Sequence, residues 1–239
     1  DGGNGQGPGY GSGHNNYSGG GGGHGGYGGR GRSGGSGGVS YGSHTAPLEL
    51  GSGGGAGDNY YGSCNGGYGG GALRIVAGDT VTVDGTLSVN GTDGYCRSDC
   101  NNDASGGGAG GSIYLTAGTL AGTGSITAGG GTGGCSASDG GGGAGGRIAL
   151  YYDSGSFSLD AITAAGGDGY KKGDEGTIYL KEAERVGELY FSDSTWAAGT
   201  HLYQGDNVTV FRSGTVLCPG IGSSPDGYGV VFSASDFSI

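Results

Sequence analysis

GGGAGGSIYLTAG, beginning at Gly106, and GGGAGGRIALYYD, beginning at Gly141, decide the fold, because in each a run of glycines passes directly into a strand of alternating apolar residues. The same join occurs in GGGALRIVAG from Gly69 and, more weakly, in GDEGTIYLKEA from Gly173. Aligned on Ile75, Ile113, Ile148 and Ile178, the copies lie 38, 35 and 30 residues apart. A period of that length marks stacked supersecondary units, none of which can bury its apolar face without a neighbour.

Inside the first copy, Leu73 and Ile75, Val81 and Val83, then Leu87 and Val89 make three short alternations, broken by Gly78 and the Asp84-Gly85 turn. The second copy offers Ile113 and Leu115, Leu120, then Ile126 and Ala128; the third offers Ile148 and Leu150, Phe157 and Leu159, then Ile162 and Ala164. A period of two turns one face inward, and three strands per copy suit one coil of a β-solenoid.

Glycine fills 70 of the 239 positions without the strict triplet of collagen. Ordering such a chain costs roughly 1–2 kcal/mol per residue, so backbone hydrogen bonds must supply much of the compensation. Extended threefold polyglycine helices point their N–H and C=O groups sideways and bond laterally, which requires the absence of side chains. The expected fold is therefore all-β: glycine-rich, solenoid-like repeats with a polyglycine II helix layer and a C-terminal β cap. The expected divisions are residues 1–47, a Gly/Tyr-rich extended segment; 48–181, the β-repeats; and 182–239, a cap or assembly segment. In the last, strands are expected at 188–192, 201–203, 207–211, 215–217 and 229–232.

With 21 acidic against 10 basic residues the net charge is −11, which opposes phosphate binding despite the Arg30 and Arg32 patch; no nucleic-acid partner is expected. No apolar run reaches the roughly 20 residues of a membrane-spanning helix. The chain begins at Asp1 and has no Met, which reads as a processed or incomplete product. Cys64, Cys96, Cys100 and Cys135 are disulfide candidates and Cys218 is the odd thiol, free or intermolecular; their spacing fits no zinc site, and disulfides imply an oxidising, extracellular setting.

His14, His24, His44 and His201 accompany no recognisable nucleophile, and no enzymatic activity is expected. No cofactor is expected either; the one candidate is calcium, at Asp79, Asp84 and Asp93 or at Asp168, Asp174 and Glu175. Asn16, Asn90 and Asn207 head N-glycosylation sequons.

The stretch GGGAGGSIYLTAGTLAGTGSITAGGG with GGGGAGGRIALYY resembles the glycine-rich repeats of very large secreted and surface proteins of bacteria and microbial eukaryotes. The tracts alone are similar to polyglycine-rich adhesin domains. The resemblance implies surface, scaffold or adhesion roles and carries no site residue. The leading expectation is an extracellular structural subunit polymerising with copies of itself, its last segment VVFSASDFSI acting as an assembly strand through Val230, Val231, Phe232, Phe237 and Ile239. The alternative is a cell-surface adhesin presenting Tyr60, Tyr61, Tyr68 and Tyr95 to a glycan or protein. A third idea is an ice or mineral binder with Thr80, Thr82, Thr116 and Thr127 as a flat array.

Overall fold

The computed structural model describes residues 5–13, 18–57, 64–95, 104–135, 139–183, 188–192, 201–204, 207–211, 230–233 and 236–238. The first repeat supplies β1 (Ala72–Val76), β2 (Thr80–Thr82) and β3 (Thr86–Ser88). The second supplies β4 (Ser112–Ala121) and β5 (Ser125–Thr127), the third β6 (Arg147–Gly155) and β7 (Ile162–Thr163), and the fourth β8 (Thr177–Glu182). Strands β1, β4, β6 and β8 pair in parallel, β2 pairs with the second half of β4, and β3, β5 and β7 form a second parallel sheet. Each of the first three repeats is thus one rung spanning two sheets, and the fourth adds β8 to the first sheet alone.

Between the sheets the inward rows stack like with like. Leu73, Ile113, Ile148 and Ile178 form one row, Ile75, Leu115, Leu150 and Leu180 the next, and Leu87, Ile126 and Ile162 a third. Ile75 accordingly stands opposite Leu115, and Leu73 opposite Ile113; the first repeat is two residues longer than the alignment on Ile75 implied. Two further readings change. Strand β4 is continuous where two alternations were expected, and Leu159 opens a single 3-10 turn, Leu159–Ala161, where a strand was expected.

The glycine tracts form a slab of extended backbone beside the sheets. In the tract at 105–111, successive amides donate to three neighbours in rotation: Gly106 and Ala109 to Gly55 and Ser52, Gly107 and Gly110 to Gly141 and Ala144, Gly108 and Gly111 to Thr92 and Val89. The tract at 141–146 does the same, with Gly141 and Ala144 donating to Gly19 and Gly22, Gly142 and Gly145 to Lys171 and Asp174, Gly143 and Gly146 to Gly131 and Ala128. Each tract is therefore bonded on three sides, which satisfies the backbone without side-chain help. The packing leaves no space for anything else: a Cβ at Gly107, Gly143 or Gly21 would come closer than 3.0 Å to carbonyl atoms of Gly131, Gly108 or Gly142 respectively.

The fold-class expectation is overturned. The strands form open, mixed sheets with largely parallel strand order and no closed solenoid, and among the described residues the one helical element is that 3-10 turn. Among the described residues the C-terminal strands do not form the expected separate β cap. Strand β9 (Glu188–Ser192) pairs antiparallel with β8, and β11 (Asn207–Phe211) and β13 (Asp236–Ser238) follow in parallel, so one eight-stranded sheet runs from the first repeat into the C-terminal region. Strands β10 (His201–Gln204) and β12 (Val230–Ser233) pair in parallel as a third sheet. The physical reason is that a paired strand satisfies its backbone more completely than a capping edge does, and β8 offers an open edge to pair with. The strand expected at 215–217 lies outside the described residues.

Candidate assembly surface

The first rung is built like the others, and among the described residues no further rung covers it. Its inward residues Leu73, Ile75, Val81 and Leu87 are only partly buried, whereas Ile113, Leu115, Ile126, Ile148 and Leu150, one and two rungs further on, are fully buried. Strand β1 pairs on one side with β4 and ends the eight-stranded sheet; β3 likewise ends its own. An edge strand presents a row of unpaired N–H and C=O groups. Completing the burial of an aliphatic side chain is worth a fraction of the ~1.5–3 kcal/mol for full burial, so covering four of them adds several kcal/mol to any association.

At the opposite end of the same sheet β13 pairs, among the described residues, with β11 on one side only. The expected assembly strand is in fact two strands in two sheets: Val230, Val231 and Phe232 lie in β12 opposite His201, Leu202 and Tyr203, while Phe237 lies in β13 opposite Val208. Ile239 lies outside the described residues.

Rungs are locked in register by acidic and amide side chains that sequence reasoning had assigned to a turn, to calcium or to a glycosylation sequon. The Asp84, Asn90 and Asp93 Oδ1 atoms accept backbone N–H bonds from Thr123, Gly129 and Thr132 at 3.3, 2.6 and 2.7 Å. All three reach 39 residues ahead, to the second rung. In the second proposed calcium set, Glu175 Oε1 meets Lys172 Nζ at 2.9 Å and its Oε2 accepts the Gly166 N–H, while Asp174 Oδ2 accepts the Tyr27 N–H. Among the described residues no three His, Cys, Asp or Glu side chains group to hold a metal ion. Arg32 of the basic patch is paired with Asp139 at 3.0 Å.

Cys64 and Cys135 are each engaged in a disulfide, and Cys64 is fully buried. Cys96, Cys100 and Cys218, together with Asn16, Tyr60 and Tyr61, lie outside the described residues. Asn90 is exposed, and Asn207 opens β11. Tyr68 and Tyr95 are exposed, at 58 % and 54 %. The four threonines of the proposed array are not brought together on one face: Thr80 and Thr82 lie in β2, Thr116 in β4, and Thr127 in the other sheet with its Oγ1 buried.

Two buried polar residues escaped the sequence reading. Arg147, at the start of β6, donates from Nε to Tyr41 O at 2.8 Å, from one terminal nitrogen to Thr177 Oγ1 at 3.1 Å and from the other to His24 O at 3.4 Å. His24 is fully buried, packs against the Tyr41 ring at 4.8 Å between centroids, and donates from Nδ1 to Gly110 O at 2.8 Å. Its Nε2 has no partner among the described residues. Burial first, and the nearby Arg147 guanidinium second, hold its pKa down to about 4; the Gly110 carbonyl and Glu49 oppose that shift. Together they tie the glycine slab to the sheet. On the sheet's outer face Tyr114, Tyr151 and Tyr179 stack at 5.5 and 5.6 Å, and burial followed by the two flanking rings pushes the Tyr151 hydroxyl up to about 12.

Among the described residues no helix is long and apolar enough to cross a membrane. No protein-family model, no curated protein and no solved structure matches the chain, so the reading of its function rests on these residues and their geometry.

Proposed function

We propose that the chain is an extracellular structural subunit that assembles with copies of itself into a filament or surface layer. The observation that carries this reading is the eight-stranded sheet whose end strands, β1 and β13, each pair on one side only among the described residues, with a partly buried apolar row beneath the first of them. Edges of that kind pair with other chains unless something blunts them, and two different edges on one subunit make a head-to-tail contact, which grows into a filament unless its rotation closes a ring. The disulfide-bonded Cys64 and Cys135 support an oxidising location.

Removing residues 230–239 deletes β12 and β13 together. The truncated chain should keep its circular dichroism and melting temperature, because the apolar rows and the slab lie upstream, and should sediment as a monomer where the full chain sediments as polymer. Polymers formed equally well by the truncated chain would remove the terminal strands from the contact.

One observation favours adhesion as a second reading. Tyr68 and Tyr95 are exposed on adjoining tracts, where Thr92 N donates to Tyr68 O and Tyr95 N to Asn65 O. Exposed aromatic rings suit sugar or protein surfaces. Alanine at both positions would then abolish surface binding and leave the oligomeric state unchanged.

A further inference from the structure

Glycines at the start of each rung obey a rule that the first rung satisfies without any visible reason. A Cβ at Gly111 would overlap Gly71 O, one at Gly146 would overlap Gly111 O, and one at Gly176 would overlap Gly146 O, each closer than 3.0 Å. At the turn into the second sheet a Cβ at Gly124 would overlap Gly85 O, and at the intervening bend one at Gly118 would stand 3.2 Å from Gly78 O. Along the stack, then, the Cβ direction of each such glycine points at the backbone of the rung before it. Gly71, Gly78 and Gly85 hold the same places in the first rung, and there a Cβ meets nothing within 4 Å. None of the three has a positive φ that would call for glycine on conformational grounds.

We infer that Gly71, Gly78 and Gly85 are glycine because a rung of peptide backbone from a second copy of this chain packs on them. The inference rests on the self-assembly reading and gives its contact a place. A glycine needed only for close approach marks an approaching main chain, since a ligand or a side chain would leave room for a methyl group. The chain's own described residues before Ala72 do not supply that rung: the tracts at 19–25, 51–57 and 67–70 are bonded within the slab. What the chain does offer is the other end strand of the same sheet, β13, whose outer edge pairs with no described strand. The occupant is therefore the end of a second copy that carries the β13 edge. By translation along the stack β13 meets β1 antiparallel, which is the arrangement the chain already uses where β9 joins β8.

The test compares the full-length native chain with the Gly71→Ala/Gly85→Ala variant and with each single variant, by melting curve, sedimentation velocity and filament length. Because the added methyls enter open space, the variants should melt at the native temperature or slightly above it. The double variant should raise the concentration needed for assembly at least tenfold. Its β13 edge is intact, so it should also cap native filaments and shorten them at substoichiometric ratios. A folded double variant that assembles like the native chain overturns the inference while the self-assembly reading stands. Native filaments of unchanged length in its presence overturn the β13 edge as the occupant. A native chain that stays monomeric at every concentration overturns both the inference and the reading. If the double variant melts early, the single variants decide by the same criteria.

Discussion

Gly107→Ala should destabilise the fold by on the order of 3 kcal/mol or more, a large part of the total stability of a domain this size. Gly107 lies at the centre of the slab, donating to Gly141 O at 2.9 Å and accepting from Gly22 N at 2.9 Å. Its Cβ would meet Gly131 O, Gly131 C and Thr132 O, all backbone atoms closer than 3.0 Å. Side-chain rotation gives no relief, because every obstacle is main chain whose own hydrogen bonds fix it. The tract has to move away from Gly131, and in moving it stretches bonds to its other neighbours. Gly129→Ala is the matched control: its Cβ would stand 3.4 Å from the Asn90 Oδ1 and 3.7 Å from Ala165 O, ordinary contact distances. That variant should melt within a few degrees of the native chain. Urea or thermal denaturation of the two separates a slab held by close backbone approach from one in which glycine is merely tolerated.

Stability should fall by about 3 kcal/mol as pH drops from 6.5 toward 4, on account of His24 alone. The sign follows from the depressed pKa. Above 6.5 the imidazole is neutral in both folded and unfolded chains and contributes no slope. Between 6.5 and about 4 the unfolded chain takes up a proton that the folded chain refuses, so unfolding is favoured progressively. Below about 4 both states carry the proton and the loss levels off. In the folded protein the charged ring would sit fully buried beside the Arg147 guanidinium, with an extra N–H donor at Nε2 that has no acceptor among the described residues. His24→Asn keeps a donor near the Nδ1 position and removes the titration. Subtracting its stability profile from that of the native chain cancels the carboxylates the two share, and the difference should be flat above 6.5 and slope between 6.5 and 4. A difference that is flat throughout would mean that the ring is not held neutral by burial.

How much of this was legible in the sequence depends on whether the information is carried by side chains. Alternation placed β1, β4, β6 and β8 because Leu73, Ile75, Ile113 and their counterparts announce an inward face. It misplaced the first rung by two residues, since Leu73 and Ile75 are equally good members of an alternating row and only pairing distinguishes them. It could not tell which glycine tract touches which. Glycine has no side chain to complement a neighbour, so the three-way bonding of the tract at 105–111 leaves no trace except the absence of everything else. The closed solenoid failed for a related reason: repeat spacing reports that units stack, but whether their sheets close depends on where the tracts return. Asp84 was visible as a turn former, Asp93 as a calcium candidate and Asn90 as a sequon, and their reach to Thr123, Gly129 and Thr132 becomes apparent only once the rungs are paired. His24 read only as one of four histidines without a nucleophile, and Arg147 drew no reading at all. Their significance lies in burial, which follows from the packing of the slab on the sheet.

Negative-stain electron microscopy of the purified native chain under non-reducing conditions tests the central claim most directly. Self-assembly through the two open edges predicts uniform filaments or layers with a regular axial repeat, growing with protein concentration. Dispersed monomers or small closed oligomers across the concentration range would contradict it.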